Sequence, residues 1–160
     1  MSDSDTFWNW SVRRWDKAEF RNACMQWQQG GGEVNLLLFA LWQGEQGLLW
    51  DEAYVAQLMT DTQYWRETLL APLRELRAAI KGKLGPGVEY EQAKALELRL
   101  ERRFQATLCA AAQPPAGIDE RISGRKSSGR SRADQCNIEL LCRFSDISPD
   151  AGWLETLFSR

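Results

Sequence analysis

Four cations, Arg66, Arg74, Arg77 and Lys81, come closest to a spacing that could do chemistry. At about 100° per residue on a helix they share an arc of roughly 80°, beside an apolar stripe. Such a face could hold phosphate, an acidic partner or nucleic acid through charge-assisted contacts. The competing reading is internal pairing, because the following helix carries Glu89, Glu91, Glu97 and Glu101. Asn35 is the polar exception in the apolar segment that starts at Val34. Its amide either bonds free backbone N–H groups of the first helical turn or anchors an internal pocket. Trp8 and Trp10, two residues apart, cannot turn both rings to one side of a helix. With Trp50 they lack an obvious inward face and are candidates for a partner or ligand surface. Trp15, Trp27, Trp42 and Trp65 fall on apolar faces and read as core.

Catalytic signals are scarce beside these. The chain has eight tryptophans and no histidine, so the commonest general base and metal ligand is missing. Cys24, Cys109, Cys136 and Cys142 show no metal-ligand spacing. They read as reduced, partly buried apolar residues. Asp51, Glu52 and Asp61 stand where helices start, a place acids favour for electrostatic reasons. No glycine-rich phosphate loop, aspartate-rich metal motif or nucleophile elbow occurs. No catalytic residue, cofactor or metal is therefore expected, and the residue set leans away from an enzyme.

The elements that position these residues read as helices. Val, Ile and Thr are sparse and no long β-branched alternation occurs, whereas helix punctuation is frequent. A short helix over 7–15 precedes Asp16, read as the N-cap of a capping box with Glu19. Phe20, Cys24 and Trp27 then mark an apolar face that ends at Gly30-Gly31-Gly32. The segment 34–43 is apolar nearly all round, the signature of a helix buried on every side and hence the hub of a bundle. Asp51 caps a helix through Met59, and Thr60-Asp61-Thr62-Gln63 offers a second capping box. Trp65, Leu69, Leu73, Leu76 and Ile80 form an amphipathic stripe, with Pro72 inside it to kink or break the helix. Ala93, Leu96, Leu100, Phe104 and Leu108 define the inner face of a long helix over 88–112, stopped by Pro114-Pro115. Residues 113–131 lack periodicity and read as a mobile basic loop. Ser148-Pro149 opens the last helix as N-cap and N1. The expectation is one all-α domain over 1–160, a compact bundle of about six helices.

At 160 residues and net charge −2, no global pull toward nucleic acid or anionic membrane is encoded. Arg121, Arg125, Lys126, Arg130 and Arg132 could grip phosphate backbone, but no aromatics are interleaved for base stacking. Nucleic-acid binding is not the favoured reading. No apolar stretch approaches the ~20 residues of a membrane span, and no secretory leader is recognisable. The cytoplasm is the expected compartment.

Phe7-Trp8-x-Trp10-Ser11, Ala23-Cys24, Val34-Asn35-Leu36-Leu37-Leu38 with Trp42, Trp65-Arg66 and Pro72-Leu73-Arg74-x-x-Arg77 occur in an order that resembles a proteobacterial family. Its members are about this long and carry a domain of unknown function. The resemblance covers residues 7 to 81 and implies a bacterial cytosolic protein with no assigned activity. It carries over no catalytic residue. The reading that follows is an interaction or regulatory module contacting another protein. The alternative is a bundle that holds an apolar small molecule in a tryptophan-lined cavity near the 34–42 helix.

Overall fold

Four helix starts are set by side chains that accept from free backbone N–H groups. In the computed structural model, which describes residues 2–111 and 131–159, Ser2 opens α1 (Asp3–Trp15) by accepting from the Asp5 N–H. Asp51 opens α4 (Glu52–Asp61) through the Tyr54 N–H at 2.7 Å. Asp150, in place of the expected Ser148, opens α8 (Ala151–Phe158) through the Trp153 N–H at 2.7 Å. Its extended backbone presents the carboxylate to the first turn.

Two expected caps do not form. Asp16 has helical backbone angles and closes α1, so it cannot adopt the extended conformation an N-cap needs. Lys17 precedes α2 (Ala18–Gln29) with no side-chain cap. Thr60, the expected N-cap of the second capping box, lies inside α4, and its hydroxyl donates back to the Ala56 carbonyl at 3.0 Å.

From there the chain runs into a π-helical segment, Tyr64–Leu70, and then α5 (Ala71–Leu84). The Ala71 N–H reaches the Arg66 carbonyl, five residues back. Pro72 has no N–H, and its ring would clash with a carbonyl four residues earlier in a regular α-helix. The wider turn is the local accommodation of that proline, and it shifts the side-chain register. Leu70 is fully buried as a result, whereas Leu76, placed on the inner stripe by a regular helix, is 55% exposed. Leu96 is a second expected core residue that faces out.

α3 (Val34–Glu45) has ten of its twelve residues buried. It packs most extensively on α7 (Ser131–Ser145) and also touches α1, α2 and α6 (Val88–Ala111). The α3–α7 approach is close at Gly44, where an added Cβ would lie 2.3 Å from the Asp134 Cα. α5 and α6 form an antiparallel-type hairpin pair through the Gly85–Gly87 turn, and α8 packs on α2. Among the described residues the chain is helical, with no strand, and it is divided into more helices than the six expected. No helix among those residues is long and apolar enough to cross a membrane. The expected loop 113–131 with Arg121, Arg125, Lys126 and Arg130, and the Pro114-Pro115 stop, lie outside the described residues but for Ser131; the Arg132 side chain does too.

Candidate functional site

Two arginines on the first turns of α5 point at α6 and at the residue that opens α3. Arg74 is half-buried and donates to both oxygens of Glu33, at 2.7 and 3.2 Å. It also donates to Glu97 at 3.3 Å and to Glu101 at 2.9 Å. Arg77 adds a close contact to the second oxygen of Glu97. Three carboxylates and two guanidiniums thus lock the start of α3 to the α5–α6 pair. Burial opposes the charge on Arg74, yet its bonds and attraction to Glu33 and Glu101 hold its pKa above the ordinary arginine value. The same balance, with Glu97 as partner, raises Arg77. Burial pushes the Glu101 carboxyl above its usual range against the pull of Arg74.

Glu33 ties this cluster to Asn35. One Glu33 oxygen accepts from the Asn35 backbone N–H at 3.1 Å and from its amide at 2.9 Å. The Asn35 side-chain oxygen accepts from Gln105 at 3.0 Å, and Ser11 donates to Gln105 at 3.5 Å. All four residues are buried. The first-turn cap of α3 is therefore supplied by Glu33, and the Asn35 amide is one link in a polar row joining α1, α3 and α6.

Ser11, Asn35 and Gln105 of that row form the floor of a cleft of about 450 Å³. Trp8, Val12 and Trp15 of α1 form one wall, and Leu98, Glu101 and Glu97 of α6 another. Val34 and Leu38 of α3 add apolar surface, and Lys94 and Asp16 stand among the lining residues. The cleft combines aromatic and aliphatic walls with converging amide, hydroxyl and charged groups. This composition suits reversible binding of a ligand-sized molecule.

Four of the residues singled out by sequence converge here: Trp8, Asn35 and Arg77 line the cleft, and Arg74 stands behind its wall. The others do not. Arg66, inside the π-helical segment, donates to the Met59 carbonyl at 2.8 Å and to Thr62 at 3.2 Å. Lys81 lies over the Tyr90 ring, 5.8 Å from its centre. Trp10 packs against the core and donates to Glu45 at 2.9 Å. Trp50, proposed as surface, is 4% exposed and belongs to the core. Its ring N–H is satisfied by Gln43 at 2.7 Å and its backbone N–H by Asn137 at 2.7 Å. A ring so buried and tethered serves the core first, and it reaches a surface only where it lines the hollow between α4, α7 and α8.

Sequence reasoning missed Glu33, Gln105 and Ser11; Trp15, read as core, packs against the core and also lines the cleft. Glu33 carried a weak signal, an acid immediately before an apolar helix, as a cap would stand. Gln105, next to Phe104 on the long helix, carried none.

Nucleophile chemistry has little support at three of the four thiols. Burial pushes Cys24 up to about 12, and Cys109 and Cys142 up to about 11. Among the described residues no group of three acids or cysteines is placed to hold a metal ion.

Fold and cleft together define an all-helical protein with a ligand-sized cleft where its most buried helix begins. The chain belongs to the DUF2390 family, described as proteins of unknown function, whose family model matches residues 6–108. The match extends past the 7–81 resemblance noted in the sequence and contains every residue that lines the cleft. No curated protein and no solved structure matches the chain.

Proposed function

We propose that this protein works by non-covalent binding, with the α1–α3–α6 cleft as its site and an amphipathic small organic molecule as the occupant. The observation that carries this reading is the convergence of Asn35, Gln105 and Ser11 under walls of Trp8, Trp15 and Leu98. At about 450 Å³ the space falls within the ~300–1,000 Å³ usual for small-molecule sites. An apolar body would lie against the tryptophans while a hydrogen-bonding end reaches the amides. Because Asn35 and Gln105 are already bonded to one another, they are held in fixed orientation before a ligand arrives.

A role as an interaction or regulatory module that contacts another protein is the second reading. It is favoured by Val12, Met25 and Leu98, which are 44%, 37% and 54% exposed around the same cleft. A partner side chain inserted between the tryptophans would cover them.

Native mass spectrometry of the purified chain tests the first reading. A bound small-molecule adduct is expected, and it should be lost from Leu98→Trp, which fills the cleft from its exposed rim. Tryptophan fluorescence should respond to amphipathic small molecules in the parent and not in that variant. A bare chain with no fluorescence response would overturn the proposal.

A further inference from the structure

On the other side of the molecule a second hollow, about 1010 Å³, runs between the start of α4, the outer face of α7 and the start of α8. Its floor is apolar: Leu140 is buried, and Ile147 and Leu154 are partly buried against the core. Among the described residues that line it, Asp51, Glu52, Glu139 and Asp146 stand around that floor against one cation, Arg143. Arg143 is engaged with Glu52 at 3.3 Å, both side chains being exposed. Three negative charges are left in excess around an apolar trough. The first site has a different balance, since its carboxylates are matched almost one for one by Arg74, Arg77 and Lys94.

We propose that this trough is a docking surface for a basic amphipathic helix of another protein. A trough with an apolar floor and a charged rim is the complement of a helix whose apolar stripe is flanked by Lys and Arg. The charge excess would steer such a segment in and reject acidic ones. The same excess repels nucleic acid. A small molecule is a poor match, because the polar groups ring the floor and do not converge on one point. The surface is also reportable: exposed Cys136 lies in the trough, so an occupant should shield its thiol.

The probe is a fluorescently labelled lysine–leucine peptide with leucines at helical spacing, followed by anisotropy on the full chain. Two controls are a glutamate–leucine analogue and a scrambled lysine–leucine peptide without an apolar face. Binding is expected for the basic amphipathic peptide alone, weakening as salt rises to ~0.15 M. It should slow maleimide labelling of Cys136. Glu139→Lys combined with Asp146→Asn removes the three-charge excess at two exposed positions and should weaken binding about tenfold or more. Asn tolerates the positive φ of Asp146, and an unchanged thermal melt would verify folding. Leu98→Trp, in the other cleft, should bind the peptide as the parent does. Equal binding of the scrambled peptide, unchanged affinity in the double variant, or unchanged Cys136 labelling would overturn the proposal. A concentration-dependent dimer that occludes Cys136 would do the same, by making a second copy the occupant.

Discussion

Arg74→Met should be among the most damaging substitutions in this chain. The variant keeps the apolar stem and removes the guanidinium that donates four bonds to Glu33, Glu97 and Glu101. The side chains of those acids are 7%, 11% and 25% exposed, so water can replace the lost donors only in part. One hydrogen bond to a charged group is worth ~1.5–3 kcal/mol, but four from one cation do not add. Removing one partner of a buried ion pair costs about 3–5 kcal/mol, because the other charge is left uncompensated. We take that range as the expected loss, a large share of the ~5–15 kcal/mol typical of whole domains. Arg74→Lys keeps the charge and loses the planar fork, so it should fall between parent and Met variant.

Urea unfolding followed by tryptophan fluorescence and far-ultraviolet circular dichroism measures the loss, with an unchanged m-value as the sign of a pure stability effect. The pH dependence is a second, independent check. Without Arg74, Glu101 keeps its burial and loses the partner that pulls its pKa down, so its folded value rises further. A raised carboxyl contributes stability that is present at low pH and lost as pH rises through the folded value. The gap between Arg74→Met and the parent should therefore narrow as pH is lowered from about 7 toward 5. A loss under ~1 kcal/mol at neutral pH, or a gap that ignores pH, would refute the assignment of this cluster as the clamp.

The remaining predictions concern other contacts. Gly44→Ala would set a Cβ 2.3 Å from the Asp134 Cα and 2.5 Å from its N. Backbone cannot yield as a side chain can, so a loss of about 3 kcal/mol or more is expected in a thermal melt. Gly82→Ala, with nothing near its Cβ, should gain up to ~1 kcal/mol from helix propensity. Asn137→Leu would strand the Trp50 N–H and remove donors from the Ala40 and Leu48 carbonyls, costing about 3 kcal/mol by urea unfolding. Glu101 has a folded pKa above its unfolded one, so its contribution is favourable at low pH and declines as pH rises through the folded value. Relative to Glu101→Gln, the parent should lose stability as the buffer is taken from acid to neutral. An opposite trend would mean that Arg74 outweighs burial.

The helical class was legible because it rests on local features: absent strand patterning, frequent glycine and proline breaks, and apolar residues at helical spacing. Asp51 capped as its position suggests, and Gly31 takes the positive φ, 92°, expected where α2 ends. What misled the reading was register. A constant 100° per residue put Arg66, Arg74, Arg77 and Lys81 on one arc, but Arg66 belongs to the π-helical segment before Pro72 and the others to the regular helix after it. Arg66 is consequently turned back on α4, and Leu70 fills the position toward the core. The caps at Asp16 and Thr60 failed for a related reason. A capping box read from sequence assumes that the helix begins there, and in both cases the preceding helix had not yet ended.

The buried cluster itself bears on why a cleft sits where it does. Replacing such ionic groups by well-packed apolar residues is often neutral or stabilising, so the cluster is an inefficient way to hold α3, α5 and α6 together. It does supply direction, which apolar packing does not. Arg74 fixes Glu33, Glu33 fixes Asn35, and Asn35 fixes Gln105, each through a directed bond at 3.2 Å or less. The final two of these form the polar floor of the cleft. A floor oriented in advance loses less entropy when a ligand bonds to it, and the clamp that orients it lies just behind the wall. This links the two kinds of residue that drew attention in the sequence, the cations of α5 and the lone asparagine of α3. The arginines need not touch the occupant to set its affinity. A double-mutant comparison of Arg74→Lys with Asn35→Ser should therefore show coupling in ligand binding greater than their coupling in stability, and purely additive binding effects would separate clamp from cleft.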